Sequence, residues 1–334
     1  RTGNITKLGH LYTMCGKKAT EVQEVCCGDI AAVSKLTDTR TNDSLCDPKH
    51  PVNLTAIPFP VANYTMAIAP KTKGQEDKVA NGLVRLSEED MTFHCVNNAE
   101  TRQMVLTGTG DIQLSVLCAK LKDRFGVEVT LSPARVPYRE KIRKKVKVEG
   151  KHKKQSGGHG QYGDVWIEFE PCDSEELVFA ENVFGGSVPK NFFPAVEKGL
   201  RDSVQHGVLA GYPVVYLKAT LVDGSYHPVD SSEMAFKTAA SLAYKVGLAQ
   251  ANPVLLEPIG ELHVIVPDSY TGDVMGDLNK RRGRVMGMNP VEAGEQEIVA
   301  EVPMGEMGTY AIDLRSMTQG RGMFTYAFLR YEDA

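Results

Sequence analysis

The order strand, helix, strand, strand, helix, strand can be read twice in this chain, and that recurrence limits the fold more than any single motif. In the first copy Tyr64 to Ala69 alternates as a strand, and residues 74–88 place Val79, Leu83 and Leu86 at helical spacing. Met91 to Val96 and Gln103 to Thr107 read as two short strands. Asp111 is expected to cap a helix running to Phe125, with Leu114, Val116, Leu117 and Leu121 inward and Gly126 ending it. Val127 to Thr130 closes the unit. In the second copy the strands are Leu255 to Val266, Arg284 to Met288, Glu297 to Val302 and Met323 to Leu329. Its helices are Thr271 to Arg282, ended by Lys280-Arg-Arg-Gly283, and a second from Tyr310. Each copy follows the ferredoxin-like plan, which hosts many functions.

Between the copies lies a region with two polar tips. Tyr162 to Pro171 reads as a strand, and residues 189–205 as a helix with Phe193, Val196 and Leu200 on one face. Tyr212 to Val222 is expected to be a strand whose apolar face carries Val215, Leu217, Ala219 and Leu221. A polar turn around His227 then leads to a helix from Ser231 to Gln250, with Asp230 as N-cap and Glu233 completing a capping box. The other tip is Gln155-Ser-Gly-Gly-His-Gly-Gln-Tyr-Gly163. It follows residues 141–154, where eight of fourteen residues are Lys or Arg and one is acidic.

Residues 1–52 alternate in short runs, Glu21 to Val25 and Ile30 to Val33, between turn signals. They read as the tail of a β-barrel whose beginning is missing. Three prolines between Pro51 and Pro60 mark a linker. The expected divisions are 1–52, a linker 53–61, 62–134, 135–252 and 253–334. The chain has 334 residues, 42% hydrophobic and 24% charged, in the range of globular multidomain proteins. It has no initiator methionine, no signal-peptide core and no apolar run long enough for a transmembrane helix, so a piece of a larger cytoplasmic protein is expected. The seven cysteines lack metal-ligand spacing and are expected to be reduced and mostly buried. The net charge of −4 argues against a general polyanion binder, so the local basic run carries the electrostatic signal.

Gly158-His-Gly-Gln-Tyr-Gly163 matches a dinucleotide-binding pattern, but the strand-like Val165-Trp-Ile-Glu-Phe follows it instead of a helix. A flexible hairpin turn is one alternative. A tip bare enough to approach RNA closely is the other, with Lys151, Lys153 and Lys154 supplying charge for phosphates. For His227 a catalytic base lacks any partner arrangement, while an idle turn residue and a nucleic-acid contact both stay open. Glu88-Glu-Asp90 reads as solvated surface. Lys280, Arg281 and Arg282 are ordinary helix C-cap cations or a second RNA contact. No P-loop pattern occurs, so this chain is not expected to bind or hydrolyse a nucleoside triphosphate by that route.

Five stretches together resemble elongation factor G: the two tips, Leu256-Glu-Pro-Ile259, residues 272–283, and Asp313-Leu-Arg-Ser-Met-Thr-Gln-Gly-Arg-Gly322. The resemblance runs through essentially the whole chain. It implies an α+β multidomain architecture: the end of domain II, then domains III, IV and V. Domains III and V would be ferredoxin-like βαββαβ domains, flanking a domain IV with the α+β fold of ribosomal protein S5 domain 2. It implies a monomer whose partners are the ribosome, transfer RNA and mRNA, without a membrane. Domain IV would enter the decoding site of the small subunit, and domain V would approach the stalk base and the sarcin–ricin loop. The contacting residues would be Gly157, Gly158, His159, Gly160, Gln161 and Tyr162 on one tip, and Ser225, Tyr226 and His227 on the other. No cofactor is implied in this chain; GTP and Mg would sit in the GTPase domain that precedes it. The implied activity is translocation. A paralogue acting in recycling or ribosome protection, and a stand-alone RNA-binding module, are the alternatives. Three departures from the family pattern stand out. His159 replaces an arginine, Gly108-Thr-Gly-Asp-Ile-Gln-Leu114 replaces Gly-Met-Gly-Glu-Leu-His-Leu, and Met91 follows Glu88-Glu-Asp90 in place of proline. Such changes resemble those of paralogous elongation factor G-like proteins.

Overall fold

The structure is a computed structural model and describes residues 3–155, 160–291 and 294–334. Strands β1 (Leu11–Cys15), β2 (Lys18–Val22) and β3 (Ala32–Val33) form a small antiparallel sheet in the order β2-β1-β3. None of residues 3–63 is buried, so this sheet has no core within the described chain. That exposure overturns the expectation of mostly buried thiols. Cys15, Cys26, Cys27 and Cys46 lie in this segment and are exposed, while Cys95, Cys118 and Cys172 are half-buried; all are free.

The first βαββαβ unit comprises β4 (Tyr64–Pro70), α1 (Glu76–Glu89), β5 (His94–Asn98), β6 (Gln103–Gly108), α2 (Asp111–Phe125) and β7 (Val129–Pro133). Its sheet order, β5-β6-β4-β7, is ferredoxin-like. Val79, Leu83, Leu86, Leu114, Leu117 and Leu121 are all buried. Val116 was expected inward but is 48% exposed. Two residues from Leu114 along a 3.6-residue turn, it faces away from the buried row. Gly110 is the N-cap of α2, and Asp111 is instead its first helical residue, with its carboxylate at the positive end of the helix dipole. Gly126 ends the helix in the left-handed conformation, as read from the sequence. The chain divides into two compact units, one holding residues 1–62, 68–96 and 106–131, the other residues 63–67, 97–105 and 132–334.

Next come β8 (Arg139–Ile142), β9 (Val146–Lys154), β10 (Gln161–Pro171), β11 (Val178–Glu181), α3 (Phe193–Ser203), β12 (Leu217–Ser225) and α4 (Glu233–Gln250). The mixed sheet runs β11-β12-β10-β9, with β11 parallel to β12 and the other pairs antiparallel. Val148, Val165, Ile167, Phe169, Leu217, Ala219 and Leu221 of the sheet share a core with Val196, Leu200, Phe236, Ala240 and Tyr244 of the two helices. Phe192 stacks on Phe236 at 4.6 Å between ring centroids, fixing the start of α3 against α4.

The strand expected from Tyr212 begins only at Leu217, and it continues through Ser225, so the following polar turn is shorter than its sequence suggests. A buried carboxylate explains the late start. Glu140 on β8 is 1% exposed and accepts N–H bonds from Leu209 (2.9 Å), Ala210 (2.7 Å) and Tyr212 (3.2 Å). Those bonds hold residues 209–212 as a loop around the carboxylate, and Tyr216, at φ 59°, turns the chain into the strand. β8 also pairs with β13 (Pro253–Pro267), the first strand of the second βαββαβ unit.

That unit continues with α5 (Thr271–Lys280), β14 (Arg284–Pro290), β15 (Glu295–Pro303), α6 (Tyr310–Met317) and β16 (Met323–Asp333). Its order β14-β15-β13-β16 is again ferredoxin-like. At the end of α5 the left-handed residue is Arg282 (φ 58°), one position before the glycine expected there. Arg282 N–H donates to Asn279 O (3.2 Å) and Gly283 N–H to Leu278 O (2.8 Å), the paired bonds of a Schellman motif.

The approach of α4 to the sheet has no room for side chains at two strand positions. A Cβ on Gly150 of β9 would collide with the Ala239 carbonyl oxygen, and one on Gly163 of β10 would lie 2.6 Å from that of Ala235. Both obstacles are helix backbone, which cannot swing aside. Gly163→Ala is therefore expected to destabilise the chain by about 1–3 kcal/mol. A lowered urea midpoint with an unchanged m-value checks this; an unchanged midpoint would show that α4 does not pack this closely.

Candidate nucleic-acid interface

β10 begins and β12 ends at the same end of their sheet, because the two strands are antiparallel neighbours with Asp164 opposite Ser225. The start of β10 and the turn after β12 are therefore held side by side. Residues 156–159, which include the expected contacts Gly157, Gly158 and His159, lie outside the described residues. The rest of the two tips can be built atom by atom.

The second tip folds around its own histidine. Val229 and Asp230 donate their backbone N–H groups to Nδ1 of His227, at 3.3 and 3.2 Å. His227 N–H donates to Ser231 Oγ (2.9 Å), and Ser231 N–H to the His227 carbonyl (3.1 Å). A ring nitrogen that accepts two N–H bonds carries no proton, so the imidazole proton sits on Nε2. Asp230 Oδ2 lies 3.5 Å from Nδ1, but pairing with it would need a proton there and would break both backbone bonds. The turn thus presents an Nε2–H donor from a half-exposed ring, beside an exposed Tyr226.

Asp230 links the tips instead of capping the helix. Its Oδ1 accepts from Gly160 N–H (2.9 Å) and its carbonyl from Tyr162 N–H (2.8 Å), while Ser231 Oγ donates to the Tyr162 carbonyl (2.9 Å). The N-cap of α4 is Ser232, whose hydroxyl accepts from Ala235 N–H at 3.2 Å. The reason is geometric: an N-cap side chain must turn back toward the helix, and the Asp230 carboxylate faces the neighbouring tip. A Cβ on Gly160 would come within 3.0 Å of that carboxylate. Gly160 and Gly163 of the glycine motif therefore make room for contacts within the chain. The motif runs into β10 at Gln161 instead of opening a helix, which excludes the dinucleotide arrangement.

Below the tips, Tyr162 OH and Ser225 Oγ share a hydrogen bond of 2.7 Å, and Ser225 Oγ reaches Asp164 Oδ2 at 2.7 Å. Lys151 Nζ lies 3.3 Å from the same oxygen and 5.7 Å from the centre of the Tyr162 ring. The Asp164 hydrogen bond, then its charge, hold the Lys151 ammonium above its ordinary pKa. Gln161 Oε1 pairs with His152 Nε2 at 2.9 Å. Lys153 and Lys154 are exposed and pair with no described group.

The three cations at the end of α5 divide differently. Arg281 donates to Asp277 (2.7 Å), Asp313 (2.6 Å) and the Glu306 carbonyl (2.6 Å), and stacks on Tyr310. Arg282 clasps the largely buried Glu257 with two bonds of 2.8 and 2.7 Å. Only Lys280 of the three is exposed without a described partner. Among the described residues no group of His, Cys, Asp and Glu is placed to hold a metal ion, and no helix is long and apolar enough to cross a membrane.

Three family models match in chain order: Elongation Factor G, domain III, over residues 58–133; Elongation factor G, domain IV, over 134–252; and Elongation factor G C-terminus over 254–334. The chain belongs to the elongation factor G family. A solved crystal structure of a protein from Thermus thermophilus is 38% identical, with a TM-score of 0.81. The match covers 100% of this chain and 50% of that one, so the chain spans half the length of the solved protein.

Within the domain III match, Thr109 and Gln113, which replace methionine and histidine of the elongation factor G pattern, meet in space beside Asp90 and Thr92. Gln113 Oε1 accepts from Thr109 N–H (2.7 Å), and Gln113 Nε2 donates to Asp90 Oδ2 (3.0 Å) and Thr92 Oγ1 (2.5 Å). A primary amide bonds in both directions at once, which ties the end of α1 to the start of α2. Partial burial opposes ionisation of Asp90, but hydrogen bonds from Thr92 and Gln113 outweigh it and hold the carboxyl below its ordinary pKa. Asp90 is thus a bonded joint, where charge-run reasoning gave solvated surface.

Sequence reasoning missed Asp164 and Ser231 and gave Asp230 the wrong role. Asp164 had one signal, an acidic residue in a strand opposite a lysine-rich one. Asp230→Ala is expected to speed amide hydrogen exchange at Gly160 to Tyr162 while leaving α4 protected. Ser232→Ala should do the reverse, costing about 1 kcal/mol in denaturant unfolding without loosening Gly160. Equal loosening of Gly160 by both would show that Asp230 does not join the tips.

Proposed function

We propose that this chain is the ribosome-facing part of a translational GTPase, and that the domain IV tips enter the decoding site of the small subunit during movement of transfer RNA and mRNA. The observation that carries the reading is the cross-bracing of the two tips by Asp230, Tyr162 and Ser231. A probe that occupies a vacated site and blocks reverse movement needs shape and fixed donors, and no reactive group. The Nε2–H of His227 supplies a donor suited to a base edge, a phosphate or a 2′-hydroxyl. Lys153 and Lys154 add charge for phosphates. Domain V, with Lys280 outward, faces the large subunit near the stalk base and the sarcin–ricin loop. The protein acts as a monomer in the cytoplasm, and GTP with Mg belongs to a GTPase domain in the full-length protein.

A second reading is favoured by one observation: the Gln113–Asp90–Thr92 joint, in which Gln113 stands where the family pattern has histidine. Such a joint in domain III changes how nucleotide state reaches the tips, as expected of a paralogue acting in subunit recycling or ribosome protection.

In the full-length protein His227→Ala removes both the Nε2 donor and the acceptor that shapes its turn. Single-round translocation is expected to slow at least about tenfold, equivalent to about 1.4 kcal/mol, with ribosome-stimulated GTP hydrolysis nearly unchanged. Equal loss of both activities would remove the probe assignment; GTP turnover by the wild type with no movement would move the function to the paralogue reading. Replacing Lys153 and Lys154 with glutamine should reduce the salt slope of ribosome binding by roughly 0.7–0.9 for each phosphate left without its lysine. An unchanged slope would assign both lysines to solvent.

A further inference from the structure

Lysines on β9 do not all meet the same surroundings. Lys151 lies opposite Asp164 in the strand register, Lys153 opposite Tyr162 and Lys154 opposite Gln161. Asp164 is 5% exposed. Its Oδ2 gathers Ser225 Oγ at 2.7 Å, Lys151 Nζ at 3.3 Å and Tyr162 OH at 3.5 Å. Its Oδ1 is inaccessible and has no described hydrogen-bond partner. A carboxylate so desolvated and only half bonded is weakly screened and holds the nearest cation tightly. Glu149, 3.6 Å from Nζ, and the face of the Tyr162 ring contact the same ammonium, on a side chain that stays 46% exposed.

We propose that Asp164 determines which cations the tip offers. It withdraws Lys151 from phosphate contact and fixes it, with the Tyr162 and Ser225 hydroxyls, as the floor of the tip, leaving Lys153 and Lys154 open to a polyanion. The inference rests on the reading of domain IV as an RNA-facing probe. It alters that reading in one respect, because Lys151 acts as a brace. Asp164 is a positioning residue: it touches no RNA and acts through the three groups it holds. The consequence is selectivity. A tip with fewer mobile charges has a weaker sequence-independent pull on any RNA, and depends more on shape and on the donors of the tips.

Two measurements on this chain test it. In lysine acylation footprinting, Lys151 should react roughly threefold or more slowly than Lys153, since a cation held by a carboxylate exposes less free amine. Asp164→Asn, which keeps the shape and removes the charge, should erase that difference. In the second measurement a 16-nucleotide oligouridine is titrated over a salt series. Lys151→Gln should leave the log–log slope of the wild type unchanged, and lower it by about 0.7 in the Asp164→Asn background. Equal acylation of Lys151 and Lys153 in the wild type, or a slope lowered by about 0.7 by Lys151→Gln alone, overturns the proposal. The acylation pattern as expected, with no salt-dependent oligouridine binding by any variant, overturns the RNA-facing reading and upholds the capture of Lys151. Should Asp164→Asn fail to fold, the wild-type acylation pattern and the slope of Lys151→Gln still decide.

Discussion

The architecture of the tips depends on how closely α4 lies against β9 and β10. Bare backbone at Gly150 and Gly163 lets the helix descend until its own carbonyls meet the sheet. That contact sets the N-terminus of α4 beside the start of β10, which is where the second tip must begin and the first must end. A helix one side-chain layer higher would leave Asp230 out of reach of Gly160 and part the two loops. The aromatic stack of Phe192 on Phe236 and the buried row of Ala235, Ala239 and Ala243 complete the same seam. Small residues dominate it because the available gap, and no chemical requirement, selects them.

Carboxylates do much of the positioning in this molecule, and Glu140, Asp164 and Glu257 do so where water has been removed. Glu140 organises residues 209–212 by accepting three backbone N–H groups. Asp230 gathers the first tip, Asp164 gathers the floor beneath it, and Glu257 holds Arg282 at the end of α5. An acceptor-only group with two oxygens is suited to collect several donors from different segments. Their charge is matched locally by backbone dipoles or by lysine and arginine. Part of the basic run that the sequence displays is thereby neutralised before any partner arrives.

Much of the fold could be read from periodicity because the elements obey single-face rules. Val79, Leu83 and Leu86 on α1, and Leu217, Ala219 and Leu221 on β12, are buried as their spacing predicts. Misreadings occurred where a distant residue decided the outcome. Tyr212 to Tyr216 alternate like a strand, yet Glu140 takes the amides of Leu209, Ala210 and Tyr212 and bends the chain away. Asp230 has the local signature of a cap, yet Gly160, seventy residues earlier, holds its carboxylate. Val116 was placed inward because apolar character outweighed its angular position. The exposed thiols of the first segment follow from the lack of any core among residues 3–63.

By itself the amino-acid sequence determined the two βαββαβ units, the strand–turn–helix between them, the location of both tips and the family, because these follow from local spacing and from long motifs. The tertiary structure alone decided which polar side chains stay exposed and which are used internally. His159 and its two preceding glycines remain a matter of sequence. Lys151, Arg281 and Arg282 are bound to carboxylates that no local pattern pairs with them, while Lys153, Lys154 and Lys280 stay open. The proton on Nε2 of His227 is likewise a tertiary result, set by two backbone amides that reach Nδ1 only once the turn has closed. Hydrogen-bond partners are chosen by distance and direction in three dimensions, and sequence spacing constrains those only within a single element.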